Sequence, residues 1–210
     1  MSDNEGRPDN ERRRRELARK ALHFLIALSP AAAALNRVFA LVLLGAGVAA
    51  YTVMETLRRR GLRIPLVSDL TVFASRRRDR GRFVLGPVTL GAGAFLSLLL
   101  FPPRTAAIAV CALAFGDGTA SLAGKFIGRI RPSFLFGKSL EGSAACFAGT
   151  LLSAYIVTLC YGEGSWSAAL IAAGTAVLAE LPPIRDWDNV IIPLAAGLAV
   201  EFIPRLAAFY

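Results

Sequence analysis

Seven apolar runs, separated by gaps alternately rich and poor in arginine and lysine, decide what this chain can fold into. The runs cover about residues 21–35, 38–57, 84–101, 104–124, 143–161, 166–181 and 189–209. A helix crossing the bilayer core needs roughly 20 apolar residues, and a soluble domain of 210 residues could not bury so many runs in one core. With 55% hydrophobic residues, the chain reads as all-α, a polytopic membrane helix bundle of about seven transmembrane helices. The first, fourth and sixth runs are short for a span, and the first two could instead form a shallow hairpin.

Charge gives the orientation. Of the 24 Lys and Arg residues, all but Arg37, Arg104 and Arg205 fall in residues 1–22, 58–82, 116–142 and 180–189. The positive-inside rule then places the N-terminus and every second loop in the cytoplasm, across a cell inner (plasma) membrane. The richest gap, 58–82, holds Arg58, Arg59, Arg60, Arg63, Arg76, Arg77, Arg78, Arg80 and Arg82. It reads first as a topology anchor in contact with anionic membrane lipids, and secondly as an attractor of anionic nucleotides. A net charge of +9 would suit nucleic acid, but the basic residues sit between apolar runs and no binding motif of that class accompanies them, so nucleic acid is excluded.

Residues 1–15 lack apolar periodicity and read as a disordered basic tail, leaving 16–210 as a single transmembrane domain. Arg12–Arg15 ahead of an apolar run, with the small residues Ala31–Ala34 toward its end, resemble parts of a signal peptide. The leader is long and partly acidic and more spans follow, so an uncleaved first span is expected. Cys111, Cys146 and Cys160 lie in apolar runs without CxxC spacing, which points to small buried side chains rather than zinc or disulfides.

Four polar clusters lie at the cytoplasmic ends of the expected spans. In the first, Glu16, Arg19, Lys20 and His23 recur at helical spacing, with the lone histidine on the apolar side. Basic residues snorkelling at a span end need no function. In the second, Asp117, Ser121 and Lys125 repeat every four residues beside Gly116, Gly118, Gly124 and Gly128. A small-residue packing seam explains the glycines. It does not explain Asp117, since a carboxylate at the edge of a span is costly unless paired or bound to a cation.

The third cluster, Gly137-Lys138-Ser139-Leu140-Glu141-Gly142-Ser143, lacks the glycine spacing and preceding strand of a P-loop. Ser139 can cap a helix with Glu141 in its first turn, whatever else the cluster does. In the fourth, Glu180-Leu181-Pro182-Pro183-Ile184-Arg185-Asp186-Trp187-Asp188-Asn189, the prolines break a helix ahead of Asp188 and Asn189, whose oxygens can cap the next helix or ligate magnesium. Together, Asp117, Glu141 and Asp188 with Arg19, Lys20, Lys125 and Lys138 are the inventory of phosphoryl transfer: oxygen ligands for magnesium and cations for developing charge. With His23 the one imidazole, no Ser–His–Asp or Cys–His set is available for acyl chemistry.

Arg19-Lys20-x-x-His23, Gly116-Asp117-Gly118-Thr119-Ala120-Ser121 with Gly124 and Gly128, Lys138-Ser139-x-Glu141-Gly142-Ser143, and Asp188-Asn189 with Pro193 resemble the dolichol kinase, phytol kinase and CTP-dependent diacylglycerol kinase family. The resemblance spans about residues 16–200 and implies transfer of a phosphate from CTP to a lipid alcohol (a polyprenol, phytol or diacylglycerol) with Mg2+. On it, Asp117, Lys125, Lys138 and Glu141 would be catalytic. Arg19, Lys20, His23, Gly116, Gly118, Ser121, Gly124, Ser139 and Gly142 would bind the nucleotide, and Asp117, Glu141, Asp188 and Asn189 the metal. Gly124-x-x-x-Gly128 would also suit close helix packing, as in a homodimer.

Two rivals stand. Phosphatidate cytidylyltransferases share distant features with that family, and would release pyrophosphate instead of CDP. A small transporter would place polar groups near the midplane in both halves. Here they gather on one side, with Glu163 and Glu201 toward the other.

Overall fold

The computed structural model describes residues 9–62 and 82–207. Among them are helices, turns and no strand: α1 (Asp9–Leu25), α2 (Ser29–Leu35), α3 (Arg37–Arg59), α4 (Gly86–Leu100), α5 (Pro103–Phe126), α6 (Leu140–Cys160), α7 (Trp166–Glu180) and α8 (Asp188–Ala207). The all-α expectation holds.

Against about seven expected spans, four helices among the described residues are long and apolar enough to cross a membrane, namely α3, α5, α6 and the segment Arg185–Pro204. The apolar helices α4 and α7 are shorter. The first run, 21–35, is not one helix. A 3-10 turn at Ile26–Leu28 and the Ser29-Pro30 start of α2 break it. Asn36 then leaves helical geometry and caps α3 by accepting from the Phe39 amide at 2.9 Å. Helix α1 begins at Asp9, inside the expected disordered tail, whereas residues 1–8 and the arginine-rich 63–81 lie outside the described residues.

Helix α5 is the axis of the bundle: 72% of its most apolar window is buried, against 11% for α3 at the periphery. It is flanked by α6, α8 and α4, and α7 packs between α6 and α8. The contacts are made by small residues. Ala106, Ala109 and Ala112 on α5 and Ala169, Ala172 and Ala176 on α7 are all buried. Lipid tails are as apolar as leucine, so close backbone approach, rather than expulsion of water, holds such helices together.

Two polar ties fix the outer helices. The Arg37 guanidinium donates to the Leu98, Leu99 and Phe101 carbonyls, capping the end of α4. Glu55, fully buried, accepts from Arg58 at 2.7 Å and from the Val84 amide at 3.1 Å, joining the end of α3 to the start of the α4 segment. Cys111 and Cys146 are buried as expected, while Cys160 is exposed at the end of α6.

Candidate active site

Asp117 owes its position to a break in helical regularity. Residues Ala112–Asp117 form a π-helical segment within α5, and Asp117 is its last residue. The widened turn shifts the residues after it around the helix axis, a device frequent at functional sites. The Thr119 hydroxyl lies 2.5 Å from the Phe115 carbonyl and 2.8 Å from the Ala145 carbonyl, so it serves the loosened turn and its contact with α6.

Asp117 is buried, and such a carboxylate needs partners. They come from α1. Lys20 Nζ donates to Asp117 Oδ2 at 2.9 Å and to the Asp117 carbonyl at 3.2 Å. His23 Nε2 reaches the same Oδ2 at 2.8 Å. One helical turn separates Lys20 from His23, so one face of α1 supplies both donors. His23 Nε2 also lies 3.1 Å from Asn189 Oδ1 on α8. The Asn189 amide is oriented by its own donors, since Nδ2 faces Thr89 Oγ1 at 3.0 Å and the Gly86 carbonyl at 3.4 Å on α4. With two acceptors before it, Nε2 carries the proton. Four helices thus meet in one buried chain of bonds: Lys20, Asp117, His23, Asn189 and Thr89.

A second group surrounds Glu16. Its carboxylate takes Arg19 at 2.6 Å, Lys125 of α5 at 2.6 Å and the Ser121 hydroxyl at 3.3 Å. Helix α1 is not among the candidate spans. Burial pushes the Glu16 carboxyl up, but Arg19, then Lys125 and Lys20, outweigh it and hold it below its ordinary value.

A third group joins α6 and α7. Lys138 Nζ donates to Glu180 Oε1 at 2.7 Å. Glu180 is buried in the last turn of α7, and its Oε2 has no hydrogen-bond partner among the described residues. Ser143 Oγ is equally buried and unpartnered among them. Such atoms are costly to leave unsatisfied, and both residues line the cavity below. Arg185 on its rim adopts φ +57°, a left-handed conformation that costs a non-glycine residue about 1–2 kcal/mol.

Members of all three groups, though not Glu16 or Thr89, line one cavity of about 740 Å³. One side is charged, with Lys20, His23, Asp117, Lys125, Lys138 and Glu180. The other is apolar and is built by α1, α3 and α4.

No family model matches the chain, and no solved structure gives a significant match. Curated proteins do. The chain is 38% identical over 111 residues to a phytol kinase of Synechocystis sp., covering 50% of this chain and 46% of that one. It is 33% identical over 138 residues to a probable chloroplastic phytol kinase of Triticum aestivum, covering 59% and 46%. Probable phytol kinase 1 of Oryza sativa subsp. japonica is 31% identical over 157 residues, covering 68% and 50%.

The chain is similar to phytol kinases over half to two thirds of its own length.

It spans about half the length of the curated relatives it matches. Arg19, Lys20, His23, Asp117, Ser121, Gly124, Lys125, Lys138, Ser139, Gly142, Asp188 and Asn189 all line the cavity. His23, expected on the apolar side of its helix, turns to Asp117 with Lys20. Gly116 and Gly118 are not in the lining. A Cβ at Gly116 would collide with Thr150 of α6, and one at Gly118 would come within 2.8 Å of the Phe24 ring, so both glycines serve helix contact. Gly124 and Gly128 likewise face Ser139 within the chain.

Glu141 is not in the lining either. Its carboxylate accepts from the Arg129 amide at 2.9 Å and the Ile130 amide at 3.1 Å, organising the connection from α5 to α6. Ser139 caps α6, accepting from the Gly142 amide at 3.1 Å. Thr89 and Glu180 are the site residues that motif spacing missed. Glu180 carried one signal: a carboxylate ending an apolar run before two prolines.

Proposed function

We propose that this chain is a membrane-bound kinase that transfers the terminal phosphate of a nucleoside triphosphate, CTP first among candidates, to the hydroxyl of a lipid alcohol. The observation that carries this reading is a single cavity with a charged wall facing an apolar one. An amphipathic acceptor fits such a space, with its hydroxyl at the polar wall. Kinship with phytol kinases supports an isoprenoid alcohol of the phytol class as that acceptor.

In the reaction the lipid oxygen forms a bond to the terminal phosphorus, the bond to the bridging oxygen breaks, and the nucleoside diphosphate leaves. The hydroxyl proton passes to a carboxylate of the wall. Positioning and charge compensation supply most of the catalysis in such transfers. Lys125, Lys138 and Arg19 are assigned to the phosphates; each now faces a carboxylate, Glu16 or Glu180, that incoming phosphate oxygens can replace. Lys20 and His23 hold Asp117 in place to receive or orient the hydroxyl.

Magnesium is part of the reading. No group of three or more His, Cys, Asp or Glu side chains forms a metal cage among the described residues. That suits Mg2+, which is commonly held by one or two carboxylates plus substrate phosphates. Asp117 and Asp188 in the cavity wall, with Asn189, are the side chains that would share it. When bound, the ion supplies charge neutralisation on the phosphate oxygens. The arginine-rich gaps support an active site on the cytoplasmic side of a cell membrane, among anionic lipids.

The test is a matrix of donors (CTP, ATP, GTP, UTP) against acceptors (phytol, a polyprenol, diacylglycerol, phosphatidate) with purified protein and Mg2+. A phosphorylated alcohol with release of nucleoside diphosphate is expected. Pyrophosphate release with phosphatidate would replace this reading by cytidylyl transfer.

A further inference from the structure

The apolar half of the cavity has a shape that packing alone does not explain. Leu43, Gly47 and Tyr51 follow one another at four-residue spacing on α3, so they form a single stripe along it, and all three line the cavity. Leu25 of α1 and Leu90 of α4 face the same space. Helices α3 and α4 touch closely just beside it, where a Cβ on Gly91 would stand 2.5 Å from Val48 Cγ2. At Gly47 the reverse holds: an added Cβ would meet nothing within 4 Å. Glycine weakens a helix interior, and no neighbour at this position requires one.

The geometry points to a channel for the hydrocarbon chain of the acceptor, running between α1, α3 and α4, with Gly47 as the residue that keeps it open. Its polar end is the wall carrying Lys20, His23 and Asp117. Its outer end is marked by Leu25 and Leu43, both more than half exposed. They lie beside α3, the least buried of the candidate spans. Tyr51 closes the far end of the stripe, with its hydroxyl 3.3 Å from the Val84 carbonyl. A chain can therefore slide in from the bilayer while its hydroxyl reaches the charged wall. This rests on the kinase reading for the identity of the occupant. It goes beyond that reading in naming the path and the residue that limits chain bulk.

Two measurements test it. The first labels the purified chain with a phytol analogue carrying a photoreactive diazirine on its hydrocarbon chain. Labelling is expected within residues 20–26, 37–59 and 86–100, and Gly47→Phe should remove most of it. Gly174→Phe is the control. Gly174 also has nothing within 4 Å of an added Cβ, but it lies on α7 and outside the cavity lining, so labelling should persist. The second compares kcat/KM for phytol and for prenol, the five-carbon alcohol. Gly47→Phe should lower the phytol-to-prenol ratio by about tenfold or more, the scale on which a filled apolar pocket discriminates. Gly174→Phe should leave that ratio unchanged. Labelling elsewhere, labelling indifferent to Gly47→Phe, or an unchanged ratio would overturn the channel. Labelling that depends on Gly47 in a chain that phosphorylates no alcohol would uphold the channel and remove the kinase reading alone.

Discussion

Lys20 and Asp117 lie 97 residues apart in sequence and 2.9 Å apart in space, both buried. This bond docks α1 onto the central helix and points a carboxylate into the cavity. Removing one member of a buried pair strands the other charge, at about 3–5 kcal/mol. Lys20→Met should therefore lower the Tm in detergent more than the double variant Lys20→Met/Asp117→Asn, in which no charge is stranded. A double variant whose loss equals the sum of the losses in Lys20→Met and Asp117→Asn alone would show that the two groups do not interact.

Glu180 and Glu141 separate a cavity carboxylate from a loop carboxylate. Glu180 lines the cavity and holds Lys138 with Oε1, while its Oε2 is buried without a hydrogen-bond partner among the described residues. Glu180→Gln should cut kcat about a hundredfold by misplacing Lys138, with a smaller change in KM for the nucleotide. Glu141 bonds backbone amides that glutamine can also satisfy, so Glu141→Gln should keep activity within about fivefold. A larger loss for Glu141→Gln than for Glu180→Gln would exchange their roles.

Protonation of Glu16 should release α1. Its carboxyl is held below its ordinary value, so its contribution is present above that value and is lost as pH falls through the lowered one. Hydrogen exchange in residues 16–25 of the wild type should therefore be slower than in Glu16→Gln at neutral pH. The two should converge in acid, below the usual range for a glutamate. A difference that persists unchanged into acid would contradict the assignment.

Much of this was legible in sequence, for identifiable reasons. Apolar runs separated by charge gave an all-α membrane bundle, because lipid tolerates little else. The cost of a carboxylate at a span edge singled out Asp117. Asp188-Asn189 and Ser139 stood out because prolines and capping residues punctuate helices. What escaped was non-local or irregular. The π segment at Ala112–Asp117 leaves no compositional trace, so straight-helix spacing aligned Asp117 with Lys125, whereas the structure pairs them with different partners on α1. The first apolar run is divided by Ser29-Pro30 and Asn36 into pieces too short to span. Motif spacing grouped Glu141 with the other carboxylates; it does not reveal that its carboxylate accepts from the Arg129 and Ile130 amides.

Transfer of labelled terminal phosphate from CTP to phytol, by the purified wild-type chain and by Asp117→Asn with Mg2+, is the most direct measurement. The wild type should yield phosphorylated lipid and CDP. Asp117→Asn, still helical and docked by circular dichroism and detergent melting, should lose at least about a hundredfold in kcat. A folded Asp117→Asn chain with full activity would mean that the Lys20–Asp117–His23 cluster holds helices together and that phosphate is transferred elsewhere.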